Sequence, residues 1–378
     1  MPIIILGAVA FTIFIIQNYV YKRLWNKGLS FDIRFSIKEA FEGDKLHLRE
    51  ELTNKKFLPL PWVYIRVGLP SSFIMLSEGG SPIGSKGIIS SLYSIMSYTA
   101  IRKYHVFICK RRGIYNLRSV NVSTSNLLHN RKYNMVLRLN RELLVFPKIL
   151  DDFHNLHILY KHLDAAILSN RLINPDPFEF KGIRDYVSTD ALSSINFKAS
   201  AVSQKLMVNI YAPNTTKRLV LVLNLEASRP SYPLELYEQA IRLTATLARH
   251  YINTGVQLGF TTNGRDSVVA EPVRLEAGTS TAHLYKIYEC LARLSLTYKC
   301  EPLTEYISNL TDREQVYLFI SPLINNEMLY AFEEMQSRGV DAYMVVPFFS
   351  GTDVVVPEKA GVFAWDATII EEIKEDAA

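Results

Sequence analysis

Cysteine is scarce in this sequence. The chain of 378 residues has three, Cys109, Cys290 and Cys300, and no two of them stand in a Cys-x-x-Cys pair. A small and odd number argues against a disulfide framework and is typical of a reducing compartment. We therefore interpret the three as buried thiols.

An excess of charge of one sign is also lacking. The 42 Lys and Arg residues nearly balance 37 Asp and Glu, which leaves a net charge of +5. A balance this small does not by itself favour nucleic acid as a partner.

Motifs that carry catalysis are missing as well. We find no metal-ligand spacing, no nucleophile elbow and no kinase or Rossmann glycine set. The stretch from Gly79 to Gly87 resembles a phosphate-binding loop, but Ser85 precedes Lys86, Pro82 interrupts it, and a β pattern follows. We therefore expect a protein that is not an enzyme and has no cofactor.

One long uncharged run is present, at the amino-terminal end. Residues 3–21 include no charged side chain and would span about 28 Å as a helix, close to the ~30 Å hydrocarbon core of a bilayer. Lys22, Arg23 and Lys27 follow it, whereas a signal peptide carries its basic residues before the run. The pattern predicts an uncleaved anchor over residues 1–27.

The flanks of this run predict an orientation. Basic residues after the span favour a single-pass protein of the cell membrane with the bulk of the chain in the cytoplasm. Tyr19, Tyr21 and Trp25 would then be aromatic residues of the membrane interface. A buried helix of a soluble protein is the alternative.

Residues 28–147 alternate apolar and polar side chains. Phe31, Ile33, Phe35 and Ile37 share one face of a strand, and turns recur about every ten residues. This pattern predicts a small antiparallel β-sandwich or barrel. A basic set there could meet anionic lipid or form a solvated strand face; it comprises Arg102, Lys103, Lys110, Arg111, Arg112 and Arg118.

Residues 218–378 alternate strands with helices. Apolar runs such as Leu219–Leu225 and Val316–Ile320 precede helical patterns such as Leu234–Asn253 and Glu327–Ser337. This order predicts a parallel, doubly wound α/β sheet, whose ligands would sit at the carboxyl ends of the strands. The candidates there are Asn224, Glu226, Ser228, Thr261, Thr262, Asn263, Ser321 and Asn325.

Residues 148–217 join the two regions as a linker helix followed by a polar segment, residues 178–208. Asp190 is placed to cap a helix whose apolar face would carry Leu192, Ile195, Ala199 and Val202. We expect this face to dock on the sheet that begins at Arg218. A solvated helix–turn segment held by ion pairs is the simpler alternative.

The polar segment resembles the signature of the DUF58 family, roughly G-x-R-x-Y-x-x-G-D-x-x-R-x-I-x-W-x-x-S-A. The signature and partner-contact candidates are Gly182, Arg184, Tyr186, Asp190, Asn196, Phe197, Lys198, Ser200 and Lys205. Further likenesses are Phe41–Asp44, Leu60–Trp62, Lys110–Tyr115 and Leu144–Pro147, so that the resemblance covers nearly the whole chain.

The sequence departs from the family pattern at several positions. Thr189 stands where the family favours Gly, Ser193 or Ser194 where it favours Arg, and Phe197 where it favours Trp. The sequence shows one apolar helix, whereas many members have two.

The resemblance implies a fold and a partner. It implies that residues 218–378 form a von Willebrand A-like, Rossmann-type domain, and that the protein is an adaptor for a MoxR-type AAA+ ATPase in assembly or maturation of envelope complexes. One alternative is an uncharacterised hydrolase that uses Glu179, Asp185 and Asp190. Another is a Mg²⁺-dependent von Willebrand A-type binder.

The metal ligands of that domain type are incomplete here. Such domains may bind Mg²⁺ through Asp-x-Ser-x-Ser with a later Thr and Asp, whereas this chain offers Asn224, Glu226 and Ser228, with Thr261 as a further candidate. One carboxylate is a poor set for a hard cation that prefers charged oxygens. We therefore expect no bound Mg²⁺.

Overall fold

The computed structural model describes most of the chain. The described residues are 2–76, 82–83, 87–151, 153–173, 175–188, 190, 192–213, 218–226, 233–269, 271–298, 300–351 and 359–368. They form two compact units, one of residues 1–148 with 291–293 and one of the remainder.

The first unit begins with a long apolar helix and continues with strands. The helix is α1 (Pro2–Leu24). The strands are β1 (Leu29–Phe35), β2 (Glu39–Phe41), β3 (Lys45–Asn54), β4 (Leu60–Gly68), β5 (Phe73–Leu76), β6 (Pro82–Ile83), β7 (Ile88–Ile95), β8 (Ala100–Cys109), β9 (Gly113–Ser125) and β10 (Lys132–Phe146).

These strands form two five-stranded sheets that share one core. The sheet orders are β1-β3-β8-β5-β6 and β2-β10-β9-β4-β7, and β2 with β10 is a parallel pair among antiparallel ones. Phe31 and Ile33 alternate with outward polar residues, as the pattern predicted, and pack with Ile65 and Val122 of the other sheet. Cys109 is also buried there, which raises its pKa to about 12.

One end of the sandwich carries four loops next to the end of α1, which we call the helix-side loops. They are residues 25–28, 55–59, 96–99 and 126–131. Buried Asn54 joins two of them, because its Nδ2 donates to the carbonyls of Leu58 and Met96, each at 2.9 Å. A backbone bond from Lys55 N to Gly28 O, 2.7 Å, joins a third.

The last turns of α1 belong to the core of the sandwich. Tyr21 and Trp25 are buried, the Tyr21 hydroxyl donates to Pro59 O at 2.9 Å, and the Trp25 ring stacks on Tyr133. The expectation that Tyr21 and Trp25 act as aromatic residues exposed at the membrane interface is therefore wrong, because both rings are buried in the core of the sandwich. Tyr19 remains exposed, with the Arg23 guanidinium over its ring.

A carboxylate lies inside the same sandwich. Glu50 on β3 is fully buried, accepts a hydrogen bond from the Tyr93 hydroxyl, and has His105 Nε2 at 3.2 Å. Burial alone would raise the pKa of Glu50, but the hydrogen bonds from His105 and Tyr93 outweigh it and hold the pKa below its ordinary value. The polar group thus ties β3 to β7 of the facing sheet.

The second unit combines helices with two further sheets. Its helices are α2 (Phe153–Ile173), α3 (Phe197–Ser203), α4 (Leu234–Asn253), α5 (Thr281–Arg293), α6 (Leu303–Ser308) and α7 (Asn326–Ser337). Its strands are β11 (Pro175–Asp185), β12 (Met207–Pro213), β13 (Arg218–Leu223), β14 (Leu258–Asp266), β15 (Pro272–Gly278), β16 (Leu294–Ser295), β17 (Gln315–Ile320), β18 (Asp341–Phe348) and β19 (Val362–Asp366).

The larger sheet has the order β15-β14-β13-β17-β18-β19, with β16 also paired to β14. Strands β14, β13, β17, β18 and β19 run parallel, while β15 and β16 are antiparallel to β14. Val220 and Val222 pack on one face with residues of α6 and α7. The alternate side chains of β13 point to the other face, and α4 contacts β13, β14 and β18.

Replacing Glu50 by Gln should lower the free energy of unfolding by about 1–3 kcal/mol, because the buried hydroxyl and imidazole lose a charged partner. The pKa of Glu50 is lower in the folded than in the unfolded chain, so its stabilisation is complete above the ordinary pKa of about 4.3 and is lost as the pH falls through the folded value. Thermal unfolding of the full chain in detergent, followed by circular dichroism from near-neutral to acidic pH, measures both effects.

Glu51→Gln is the matched control. Glu51 is the next residue on β3, and it pairs with Arg49 and Arg102 at the partly exposed outer face, where an ion pair contributes little. Equal pH slopes for wild type and Glu50→Gln would contradict the assignment.

Candidate functional site

The signature segment forms a two-stranded ribbon. Strands β11 and β12 pair antiparallel, with Gly182 opposite Ile210 and Asp185 opposite Met207. Sequence analysis predicted only the second strand, over Lys205–Tyr211. The segment between the strands is a 3₁₀ turn, Leu192–Ser194, followed by α3.

Arg184 and Asp190 close this segment into a loop. The two guanidinium nitrogens Nη1 and Nη2 each donate to one carboxylate oxygen of Asp190 at 2.6 Å. Val187 N donates to Asp190 Oδ2 at 2.9 Å. The bond from Arg184, and after it the bond from Val187 N, lowers the pKa of Asp190. A two-pronged pair of this kind fixes direction as well as distance.

Asn196 is the second fixed point of the segment. Its Oδ1 accepts from Ala199 N at 2.9 Å, which makes it the N-cap of α3, and its Nδ2 donates to Asn209 Oδ1 at 2.7 Å. The Ser200 hydroxyl accepts from Met207 N at 2.8 Å. These bonds attach α3 to β12.

The helix predicted to start at Asp190 starts instead at Phe197. Asp190 is occupied by Arg184 and the Val187 amide, so it does not cap a helix. Ile195 forms a β-bridge with Val208, and Asn196 N bonds to Met207 O, which holds Ile195 and Asn196 in extended form between the 3₁₀ turn and α3. Gln204 in the left-handed conformation ends the helix.

The predicted docking of this helix on the large sheet is wrong as well. Ile195 and Ala199 are half-buried, but Leu192 is exposed and Val202 is 85% exposed. The hydrogen bonds described above attach this segment to β12 of its own ribbon and not to the large sheet. The exposed apolar side chains, here called the ribbon patch, are Phe180, Ile183, Val187, Leu192, Phe197, Val202 and Leu206.

The other signature residues differ in their bonds and in their exposure to solvent. Tyr186 N donates to Leu206 O at 2.8 Å, and Gly182 is half-buried within β11. Lys198 and Lys205 are exposed. Thr189 and the side chain of Glu179 lie outside the described residues.

The carboxylates named for a hydrolase do not converge on a described catalytic group. Asp190 is paired with Arg184, and Asp185 is exposed on β11. The histidines have other partners: His250 stacks on Tyr160 and has its Nε2 at 3.4 Å from Asp164 Oδ2, and the His283 ring nitrogen bonds to Leu258 O at 2.7 Å.

The carboxyl edge of the large sheet carries a network of amides. Asn224 is fully buried; its Nδ2 donates to Ser321 Oγ at 2.8 Å, and its Oδ1 accepts from Asn263 Nδ2 at 2.8 Å and Glu226 N at 2.9 Å. Asn263 Oδ1 accepts from Leu225 N at 2.8 Å. The sequence predicted Asn224, Glu226, Asn263 and Ser321 at this edge. The structure brings the side chains of Asn224, Asn263 and Ser321 together.

Two of the remaining metal-ligand candidates form hydrogen bonds with other parts of the protein. Glu226 Oε2 accepts from Leu303 N at 2.8 Å at the start of α6, and the Thr261 hydroxyl bonds to the Tyr306 hydroxyl. Thr261 is thus not part of the amide network, which Asn263, two residues further along β14, joins instead. Ser228 lies outside the described residues.

The donor set at this edge does not fit a divalent cation. Asn224 directs its Nδ2–H group, not an oxygen, at Ser321, and Mg²⁺ requires oxygen ligands. Among the residues that the structure describes, no three His, Cys, Asp or Glu side chains form a group that could hold a metal ion.

The six basic residues named on β8, on β9 and between these strands have different surroundings. Arg112 is buried, and Arg102 pairs with Glu51 at 2.9 Å. The six residues named from the sequence therefore do not form one exposed basic surface.

Sequence reasoning missed the ribbon patch. Phe180 and Ile183 lie on a strand that begins with Pro175 and Pro177, two residues that weaken a strand prediction. The sequence signal was the set of isolated apolar residues between charged ones.

Comparisons with known proteins find few relatives. No family model matches the sequence. The chain is similar to the uncharacterized protein YeaD of Bacillus subtilis (strain 168), with 22% identity over 228 residues, which is 59% of this chain and 53% of YeaD. The chain therefore spans about half the length of this relative.

Solved structures show only distant likeness. Native alpha-2-macroglobulin from Escherichia coli matches 32% of this chain and 24% of its own, at 11% identity and a TM-score of 0.26. A type II cohesin module of the ScaA scaffoldin of Acetivibrio cellulolyticus matches 32% of this chain and 94% of its own, at 10% identity and a TM-score of 0.22. Likeness at these TM-scores carries no argument about function.

Asn224→Ala should lower the free energy of unfolding by about 2–4 kcal/mol, because Ser321, Asn263 and Glu226 N lose a buried partner. Chemical unfolding of the full chain in detergent measures the change. Asn325→Ala is the control: Asn325 is an exposed N-cap of α7, for which a loss of about 1 kcal/mol is expected. Equal losses would show that the network contributes no more than a single cap.

Proposed function

We propose that this chain is a membrane-anchored cytoplasmic adaptor of the DUF58 type. In this proposal the second unit is a von Willebrand A-like, Rossmann-type domain. The ribbon patch binds a MoxR-type AAA+ ATPase that acts in assembly or maturation of envelope complexes. The single observation that carries the proposal is the ribbon patch itself.

The ribbon patch has the properties of a prepared binding surface. Phe197 is 77% exposed and Val202 is 85% exposed, and both belong to the short helix α3, which has no buried residue. Arg184–Asp190 and Asn196–Asn209 hold the backbone beneath them. A rigid apolar surface loses little conformational entropy when it binds, so such a patch favours a protein partner.

The sheet of the second unit supports the finer fold assignment. Strands β14, β13, β17, β18 and β19 are parallel, and helices lie between β13 and β14, between β14 and β17, and between β17 and β18. Polar side chains gather at the carboxyl edge of β13 and β14. This is where a von Willebrand A-like domain would carry its metal ligands, here replaced by the amide network.

The end of α1 supports an uncleaved anchor. The helix is long and apolar enough to cross a membrane over Ile3–Leu24. Cleavage after it would remove Tyr21 from the core of the sandwich, whereas a signal peptide is not part of the mature fold. The basic residues that follow favour a cytoplasmic position for both units.

A tagged full-length chain, captured from detergent-solubilised membranes, should recover an ATPase whose peptides carry Walker motifs. The double variant Phe197→Ser, Val202→Ser should reduce the recovery at least about tenfold, because central apolar contacts dominate such interfaces. Arg184→Ala should reduce it by distorting the loop beneath the patch. Quantitative mass spectrometry measures the recovery.

Tyr330→Ser is the control for apolar loss alone, since Tyr330 is 72% exposed on α7, an element that is not part of the ribbon. Undiminished recovery with the double variant, correctly folded by circular dichroism, would rule out the ribbon patch as the contact.

A further inference from the structure

The helix-side loops expose large apolar side chains around the end of α1. Phe57 is 79% exposed and Tyr98 is 71% exposed. The exposed apolar residues of these loops are Phe57, Met96, Tyr98, Leu127 and Leu128. They come from three separate loops, so their gathering at one end of the sandwich is a property of the fold and not of one sequence segment.

Basic residues surround these apolar side chains. The exposed basic residues in or directly beside the loops are Lys22, Arg23, Lys27, Lys55, Arg131 and Lys132. Residues 17–28, 54–62, 95–100 and 125–133 contain no Asp or Glu, in a chain that has 37 acids and 42 bases. Apolar tips among basic residues match the acyl boundary and the anionic headgroups of a bilayer.

The loops are held tightly to the helix. Asn126 Nδ2 donates to Asn18 Oδ1 at 2.7 Å, Lys56 Nζ bonds to Trp25 O, and the Tyr21 hydroxyl bonds to Pro59 O. The contacts with the sandwich therefore begin at Asn18, well inside the apolar span Ile3–Leu24.

The length of the helix brings the loops to the bilayer. Residues 3–17 of the span measure about 22 Å as a helix, whereas the hydrocarbon core is about 30 Å thick. A helix that crosses this core must therefore draw Asn18 and Tyr21 to the interface, together with the loops that are bonded to them.

The strand directions identify which end of the sandwich faces the bilayer. Strand β8 begins at the helix-side loops with Ala100 and ends at Cys109, about 30 Å away. The basic run Lys110–Arg112 is therefore at the far end, so the lipid contact considered for it from the sequence is replaced by one at the loops.

We propose that the helix-side loops enter the headgroup region of an anionic leaflet. Phe57, Tyr98 and Leu128 reach the acyl boundary, and Lys55, Arg131 and their basic neighbours bind lipid phosphates. The inference rests on the anchor of the proposed function and is independent of the ribbon patch and of its partner.

The test uses the full chain in vesicles of phosphatidylcholine and phosphatidylglycerol. Phe57→Trp and Leu128→Trp each add one indole at a loop tip, and Ile88→Trp adds one at the far end of β7, where Ile88 is also exposed. Lipids brominated near the headgroup end of the acyl chain should quench roughly half of the emission added at 57 and 128. Lipids brominated near the methyl end should quench less, and the emission added at 88 should not change.

Flotation with the vesicles separates the two hypotheses. A chain that does not float overturns both the anchor and the loop insertion. A chain that floats while positions 57 and 128 are quenched no more than position 88 overturns the insertion alone. Protection of these positions from aqueous iodide without quenching by brominated lipid would assign the loops to a protein contact and overturn the proposal.

Discussion

The first unit depends on the packing of two aromatic rings from the helix into the sandwich. Tyr21 and Trp25 lie one helical turn apart and are both buried among residues of the β core. Full burial of a large apolar side chain contributes about 1.5–3 kcal/mol each. This contact makes the helix and the sandwich one body, sets the position of the four helix-side loops, and decides which end of the strands lies beside the apolar span.

Amide side chains link several other parts of the structure. Asn54 and Asn126 join the helix-side loops, Asn196 attaches α3 to the ribbon, and Asn224 links three strand ends. An amide both donates and accepts, whereas a carboxylate only accepts. At the edge of the large sheet, this difference lets Asn224 accept from Asn263 and donate to Ser321 at the same time.

Much of the fold was predictable because burial leaves a period in the sequence. The alternation at Phe31 and Ile33 and the apolar run Leu219–Leu225 placed strands where the structure has them. The ribbon was not predictable in the same way, since Pro175 and its charged neighbours hide a strand that pairs with a distant one. The signature residues were named in advance, but the helix start was predicted wrongly at Asp190, because only the structure shows that Arg184 already occupies that carboxylate.

The burial of Tyr21 and Trp25 was missed for a different reason. Hydropathy records that a ring avoids water, and it does not distinguish lipid from a protein core as the place where the ring goes. The exposed set around Phe57 escaped the same analysis because its members are far apart in sequence and meet only when the strands are in register.

The attachment of α1 to the sandwich has a mechanical consequence. A transmembrane helix adapts to a thicker or thinner bilayer by changing its tilt. Only residues 25–28 separate α1 from β1, and Tyr21 is bonded to the sandwich, so in the proposed anchor a change of tilt would also turn the sandwich. Strands of about 30 Å would convert a small rotation at the membrane into a displacement of several ångströms at their far ends. Under the proposed anchor, bilayer thickness would then become a geometrical input to the sandwich.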